Sequence, residues 1–446
     1  MSAQPVVQYA SLTDVGMRRS TNQDDLAVRL CTEYDEWAEI GHLFVVADGM
    51  GGHSVGDLAS RITVSTLPLA FVKSDAETPS GRLCSAIAAA NRAIGDKARE
   101  NPEFSDMGTT CSSLSLSANG AWIGHVGDSR VYRVRDDVIE QLTFDHSLQW
   151  EMIRQGRANA ENSEFLHPGN VITRCLGPDK SVEIDVEGPF DIRAGDRFLL
   201  CSDGLTGHVT DSELGAIVNL LSAADASRLL IDLANCRGGS DNTTVVIAVV
   251  DEYPEISTPT VESQIVQTSR QPAVAEVGSA PQRKRGSDWS RLSMVLFGLL
   301  AVSGLVLLIT KQHIPGLILV GGALILGLTQ LILSTRKRAL WLTGQADQLA
   351  AAAILGGREP AQNSPYRRDS AELRAEFLDS LAQAQGELTT AAADNGWELE
   401  TVELTELARN AATARNDSAR GGGLPEYAAA LRILMKEFTS RMRPRG

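Results

Sequence analysis

Four aspartates stand at the ends of apolar, strand-like runs, each beside residues that let the backbone turn. Phe44-Val-Val-Ala-Asp48-Gly49-Met-Gly51 and Phe198-Leu-Leu-Cys-Ser-Asp203-Gly204-Leu-Thr-Gly207 echo one another; Gly127-Asp128-Ser-Arg130 lies at a bend, and Ser240-Asp241-Asn-Thr243 opens the last apolar run. A buried strand of this kind delivers a carboxylate to one rim of a sheet, and the glycine frees the chain to turn there and expose its carbonyl. A single Asp-Gly is ordinary turn chemistry. Carboxylates gathered without Lys or Arg partners repel one another, and the usual remedy is a hard divalent cation, Mg²⁺ or Mn²⁺, with oxygen and water ligands. Spacing alone leaves both a set of turns and a binuclear site open.

The elements that must position these residues are mixed. His42–Ala47, Arg197–Cys201 and Thr243–Val250 are continuously apolar, so both faces of each strand are expected to be covered, while Ala121–Val126 followed by Val131–Val134 reads as a hairpin. Helices are expected near 56–72, 80–100, 145–156, 211–221 and 223–235. Asp145-His146-Ser147 has the residue types of a helix N-terminal cap.

The whole chain has 446 residues, a formal net charge of -15 and a hydrophobic fraction of 43%. The acidic balance argues against nucleic acid as a partner, and the composition is that of a globular protein. Cys31, Cys84, Cys111, Cys175, Cys201 and Cys236 are widely and irregularly spaced, with no C-x-x-C pair, as expected of buried thiols in a reducing compartment. The opening MSAQPVVQYASLTD has neither a basic nor an apolar segment, so no signal peptide is expected.

The mixed α and β pattern spans residues 1–251. Residues 252–288, with Pro254, Pro259, Pro272 and Pro281 and no periodicity, read as a flexible linker. Two uncharged apolar runs follow, Leu292–Thr310 and Ile314–Ser334, separated only by Lys311-Gln-His313. Each is long enough to cross a bilayer, so 289–335 is expected to be a transmembrane hairpin. Arg283-Lys-Arg285 and Arg291 before it and Arg336-Lys-Arg338 after it place both flanks in the cytoplasm at the inner membrane. Residues 336–446 form a helical tail, with helices expected near 339–355, 369–389, 401–415 and 425–441 and no legible catalytic pattern.

The order of the motifs closely resembles the metal-dependent serine/threonine protein phosphatase family (type 2C) in its bacterial form, over residues 8–250. The resemblance is carried by Arg19-Ser-Thr-Asn22-Gln-Asp24-Asp25, Asp48-Gly49-Met-Gly-Gly-His53 with Gly56 and Ala59-Ser60, Gly108-Thr-Thr110 and Gly127-Asp128-Ser-Arg130. It continues through Asp145-His146-Ser147, Thr173-Arg174-Cys-Leu-Gly177, Ser202-Asp203-Gly204 and Ser240-Asp241-Asn242-Thr243. It implies an α+β fold: a sandwich of two antiparallel β-sheets flanked by helices on both faces, with a metal centre at one end.

The resemblance further implies that Asp48, the carbonyl of Gly49, Asp203 and Asp241 hold two Mn²⁺ or Mg²⁺ ions. Asp128 with Asp203 would offer a weaker third site, and Asp24 would bind metal-bound water. A hydroxide shared by the two ions would attack phosphorus in line, without a phosphoenzyme, and Arg19 would grip two phosphate oxygens. The implied partners are phosphorylated proteins and an opposing serine/threonine kinase, and residues 155–170 would align with a flap beside the site.

Gln23 stands where many members have Glu, which removes one carboxylate from the outer metal shell; Gln is also seen in that slot, so inactivity is not implied. Met50 stands where eukaryotic members carry a proposed acid, leaving metal-bound water or His53 to protonate the leaving group, His53 being as well read as structural support. A phosphoprotein-binding pseudoenzyme is the rival from another class, and the retained carboxylates and Arg19 argue against it. A phosphatase of a partner-switching cassette is a second rival; relatives of that kind carry a sensor domain ahead of the catalytic part.

Overall fold

Side-chain alternation along β3 (His42–Met50) shows how the layers stack. Leu43 and Val45 pack into one apolar cluster with α2 (Gly56–Val72) and α3 (Pro79–Glu100), while Phe44 and Val46 pack into another between two sheets. β10 (Arg197–Cys201) and β11 (Thr243–Glu252) do the same: Phe198, Leu200, Val246 and Ala248 point between the sheets, and Leu199, Cys201, Val245 and Ile247 point outward under helices. Helices therefore cover both outer faces, which is why these runs are apolar at every position.

The computed structural model describes residues 6–51, 55–154, 171–252, 364–397, 399, 401–415 and 418–443. One sheet has the order β1 (Val6–Asp14), β11, β10, β7 (Arg130–Arg135), β8 (Val138–Gln141), β12 (Arg367–Ser370). The other runs β2 (Asp24–Arg29), β3, β5 (Cys111–Ser117), β6 (Gly120–Val126), β9 (Asp185–Phe190), with the short β4 (Gly108–Thr109) paired to β3. All the pairings are antiparallel. The expected sandwich with helices on both faces is therefore present, and α2 and α3 match their expected spans closely. So do α6 (Asp211–Leu220) and α7 (Ala223–Cys236); α4 (Leu148–Arg154) lies within its expected span, and α1 (Tyr34–Glu39) and α5 (Asp203–Thr206) are short helices that were not expected.

The expected hairpin over Ala121–Val134 is not formed. β6 pairs with β5 and β9, whereas β7 pairs with β10 and β8, so the chain crosses from one sheet to the other at 127–129. Gly127, at φ +112, makes that crossing, and a Cβ there would meet the Thr110 side chain at 2.6 Å.

The C-terminal helices α8 (Ala375–Asp394), α9 (Thr401–Ala414) and α10 (Leu424–Met442) lie close to three of the expected spans. Phe377, Leu381, Leu431 and Leu434 join the same apolar cluster as Leu214, Ile217, Leu229 and Leu233 of α6 and α7. Residues 360–446 thereby belong to the same compact unit as residues 1–258. Polar β12 adds to the sheet edge through the pairs Arg367↔Gln141 to Ser370↔Val138. Among the described residues no helix is long and apolar enough to cross a membrane. The expected transmembrane hairpin at 289–335, the linker and the helix near 339–355 lie outside the described residues.

Candidate metal centre

Antiparallel pairing brings the carboxylates to one end of the sandwich. Asp48 sits at the C-terminal end of β3 opposite Asp24, the first residue of β2. Asp203 follows the end of β10, and Asp241 precedes the start of β11, which is antiparallel to β10. Asp128 occupies the crossing before β7, whose Arg130 pairs with Cys201. Strand ends that are distant in sequence thus meet because the register fixes them.

The backbone there is built for close approach. A Cβ on Gly49 would lie 2.1 Å from the Gly56 carbonyl oxygen, and one on Gly204 would lie 2.0 Å from that of Asn242. Gly56 in turn lets the first turn of α2 sit against β3, where a Cβ would meet the Gly49 carbonyl carbon at 2.7 Å.

Hydrogen bonds fix the carboxylates from behind. The Asp48 amide donates to Thr110 Oγ1 (2.9 Å), and Thr109 Oγ1 donates to the Asp48 carbonyl (2.9 Å). Ser202 Oγ donates to Asp24 Oδ2 at 2.7 Å and accepts from the Thr244 amide at 2.9 Å, tying Asp24 to the central strand pair. Asn242 accepts from the Gln23 amide (2.9 Å) and donates to the carbonyls of Val15 and Thr21 (both 3.0 Å), clamping the loop that carries Arg19. The roles of Thr110, Ser202 and Asn242 were not legible in their motifs; each shows only once strands are paired.

The carboxylates are electrostatically frustrated. Burial, reinforced by Asp24, Asp203, Asp128 and Asp241, raises Asp48 well above the usual carboxylate range, and burial with Asp203 and Asp145 does the same to Asp128. Burial and neighbouring Asp241 raise Asp203, and burial raises Asp24 to about 7 against the opposing hydrogen bonds from Ser202 and Thr244. Asp24 Oδ1, Asp128 Oδ1 and Asp203 Oδ1 are buried without a hydrogen-bond partner. Orphaned buried oxygens are costly, and a multivalent cation satisfies several at once. The donor set, carboxylates and the Gly49 carbonyl, is all oxygen and suits Mn²⁺ or Mg²⁺.

Among the described residues no group of three or more His, Cys, Asp or Glu side chains forms a ready-made metal cage. Asp241 Oδ2 instead accepts from Arg19 Nη2 at 2.7 Å. The residues fit the ions in type, burial and unmet acceptors. Arg19, about half exposed, stands at the rim. Its loop is fixed by Gly16, at φ +80, where a Cβ would meet the Asp241 carbonyl oxygen at 2.3 Å, and by the Met17 amide donating to the Gly239 carbonyl (2.8 Å).

His146 supports the crossing. Its Nδ1 accepts from the Gly127 amide at 3.0 Å, which leaves the proton on Nε2, 3.0 Å from Asp185 Oδ2. Ser147 Oγ accepts from the Trp150 amide at 3.4 Å in the manner of a cap for α4. His53 and residues 155–170 lie outside the described residues.

Comparison with known proteins places these features in a family. The model of the family described as Protein phosphatase 2C matches residues 17–238. The serine/threonine protein phosphatase PstP of Mycobacterium tuberculosis is 32% identical over 253 residues, 56% of this chain and 46% of PstP, so the chain spans about half the length of that relative. A putative protein phosphatase 2C-type of Streptococcus pyogenes is 36% identical over 239 residues, 53% of this chain and 94% of that protein. The crystal structure of the Mycobacterium tuberculosis serine/threonine phosphatase PstP/Ppp is similar at 32% identity, with 55% of this chain and 99% of that one covered and a TM-score of 0.49.

Proposed function

The chain belongs to the protein phosphatase 2C family, and from that membership we propose that it hydrolyses phosphoserine and phosphothreonine in proteins with the aid of two divalent metal ions. The observation that carries this reading is the convergence of Asp24, Asp48, Asp128, Asp203 and Asp241 at one sheet end, with buried oxygens left unpartnered and one guanidinium at the rim.

Asp48, Asp203, Asp241 and the Gly49 carbonyl would hold Mn²⁺ or Mg²⁺, with Asp128 supporting a weaker third position and Asp24 holding water beside them. Bound there, the ions supply a water acidic enough to attack phosphorus near neutral pH and offset charge on the phosphoryl oxygens. Arg19 acts as a planar fork for two phosphate oxygens, and its reach is supported by its contact with Asp241 at the edge of the cluster. Asn242 holds the Arg19 loop, so the fork approaches along a fixed path. Asp24, held by Ser202 Oγ at 2.7 Å, is fixed in place to orient water beside the ions.

Hydrolysis of a phosphothreonine peptide by the purified full chain, with EDTA, Mg²⁺ and Mn²⁺ compared, tests the reading. Turnover is expected with Mn²⁺ and is expected to vanish with EDTA. A folded protein inert under every metal would overturn it in favour of phosphoprotein binding without catalysis.

The same reading extends to place and partners. The two uncharged apolar runs within 289–335 and their basic flanks support an inner-membrane anchor of two helices, with the catalytic domain and tail in the cytoplasm opposing a serine/threonine kinase. The expected outcome is that the chain sediments with membranes, resists carbonate extraction and is released by detergent. Recovery in the carbonate-soluble fraction would refute the anchor.

A further inference from the structure

We propose that Tyr366 and Arg367 of the C-terminal segment are positioning residues for the metal centre, holding from behind the crossing that carries Asp128; the inference rests on the phosphatase reading above.

Arg130, two residues from Asp128, forks onto Asp145, donating from Nε at 2.9 and 3.0 Å and from Nη2 at 2.6 Å. Its Nη1 also lies 3.9 Å from Asp211 Oδ1, so one guanidinium faces two carboxylates. The second cation comes from the far end of the chain. Arg367 Nη1 lies 3.9 Å from Asp211 Oδ2, and its guanidinium sits 4.8 Å from the centre of the Trp150 ring. Arg130 approaches the same ring at 5.8 Å. Trp150 is thus shared by two guanidiniums whose carboxylates are Asp145 and Asp211, and removing Arg367 leaves that balance one charge short.

A parallel link runs through the backbone. The Tyr366 amide donates to the Gln141 carbonyl at 2.9 Å, Arg367 pairs with Gln141, and the Gln141 Nε2 donates to Asp145 Oδ1 at 2.8 Å. The Tyr366 ring meets the edge of Phe144 with centroids 5.5 Å apart, and its hydroxyl donates to buried Glu187 at 2.5 Å. The segment between β8 and α4, which includes Asp145 and His146, is therefore held from outside by Tyr366 and Arg367 and from inside by Gly127, whose amide His146 accepts.

The surface that receives the segment is cut to fit it. Gly215, inside α6, faces Ala371, and a Cβ there would stand 2.8 Å from the Ala371 Cα and 2.9 Å from its Cβ. Alanine would favour the helix by itself. It would also push the C-terminal strand off and press Ile139 Cγ2 of β8 at 3.1 Å, so it is read beside Arg367→Ala, which touches neither.

The test compares the full chain with its Arg367→Ala, Arg367→Lys and Gly215→Ala variants. The readouts are hydrogen exchange over residues 126–154 in EDTA, and KM and kcat for a phosphothreonine peptide as Mn²⁺ is varied. Arg367→Ala and Gly215→Ala are expected to speed exchange there and to raise the Mn²⁺ concentration giving half-maximal rate by about tenfold, the low end for loss of a group behind a metal ligand. Arg367→Lys, which keeps a cation over Trp150, is expected to restore most of both. Unchanged exchange and unchanged metal dependence in both alanine variants would overturn the proposal. Should the parent chain prove inert, the exchange arm decides alone: faster exchange upholds the positioning link while the phosphatase reading falls, and unchanged exchange sinks the link as well.

Discussion

Asp203→Asn is expected to abolish turnover while stabilising the metal-free protein. Asp203 is half-buried, its Oδ1 is buried without a partner, and its charge raises Asp24, Asp48 and Asp128 around it. An amide in its place would remove an anionic ligand from the proposed ion site. A loss on the order of 10³-fold or more in kcat, about 4 kcal/mol of transition-state stabilisation, is the expected scale. The same change relieves repulsion among carboxylates that burial already drives away from the charged form. In EDTA the midpoint of thermal unfolding should therefore rise by a few degrees, about 2–4 °C for each kcal/mol in a domain of this size. Peptide hydrolysis and thermal unfolding of parent and variant check both signs, and a variant that turns over at the parent rate would remove Asp203 from the metal assignment.

Arg19→Lys is expected to cost about 10²-fold in kcat/KM even though charge is kept, in line with the loss of one preorganised group that stabilises developing charge. A lysine ammonium is a point charge and cannot offer two parallel N–H donors to two phosphate oxygens. The side chain is about half exposed at the rim, so little folding stability should follow it. Steady-state kinetics with a phosphothreonine peptide, with unfolding measured alongside, checks the split; a lysine variant within twofold of the parent would show that charge alone suffices.

The site was legible in sequence because its ligands sit where apolar strands stop. Runs such as Phe44–Ala47 are buried on both faces, and the first residue past them must emerge at a sheet end, so Asp48 and Asp203 announce themselves. The path between β6 and β7 was not legible. Two β-rich runs joined by a short Gly-Asp-Ser bend have the local signature of a hairpin, and only the claims of β5, β9, β8 and β10 on their edges pull them into different sheets. β12 was hidden for another reason: Arg367-Arg-Asp-Ser370 has no apolar alternation, and its place comes from backbone pairing to β8. The supports from Ser202, Thr110 and Asn242 depend on contacts between residues far apart in sequence, which periodicity does not report.

The pairing of β12 with β8 also sets a condition on where those two strands can lie. Two strands exchange backbone hydrogen bonds only on the same side of a lipid bilayer, since a membrane cannot be spanned by a ladder with an open edge. β8 and β12 therefore lie on one and the same side of any membrane the protein meets. A change elsewhere in the chain that carried β12 to the opposite side would break that ladder. It would leave the edge of β8 bare, uncoupling the two ends of the chain without touching a residue of either.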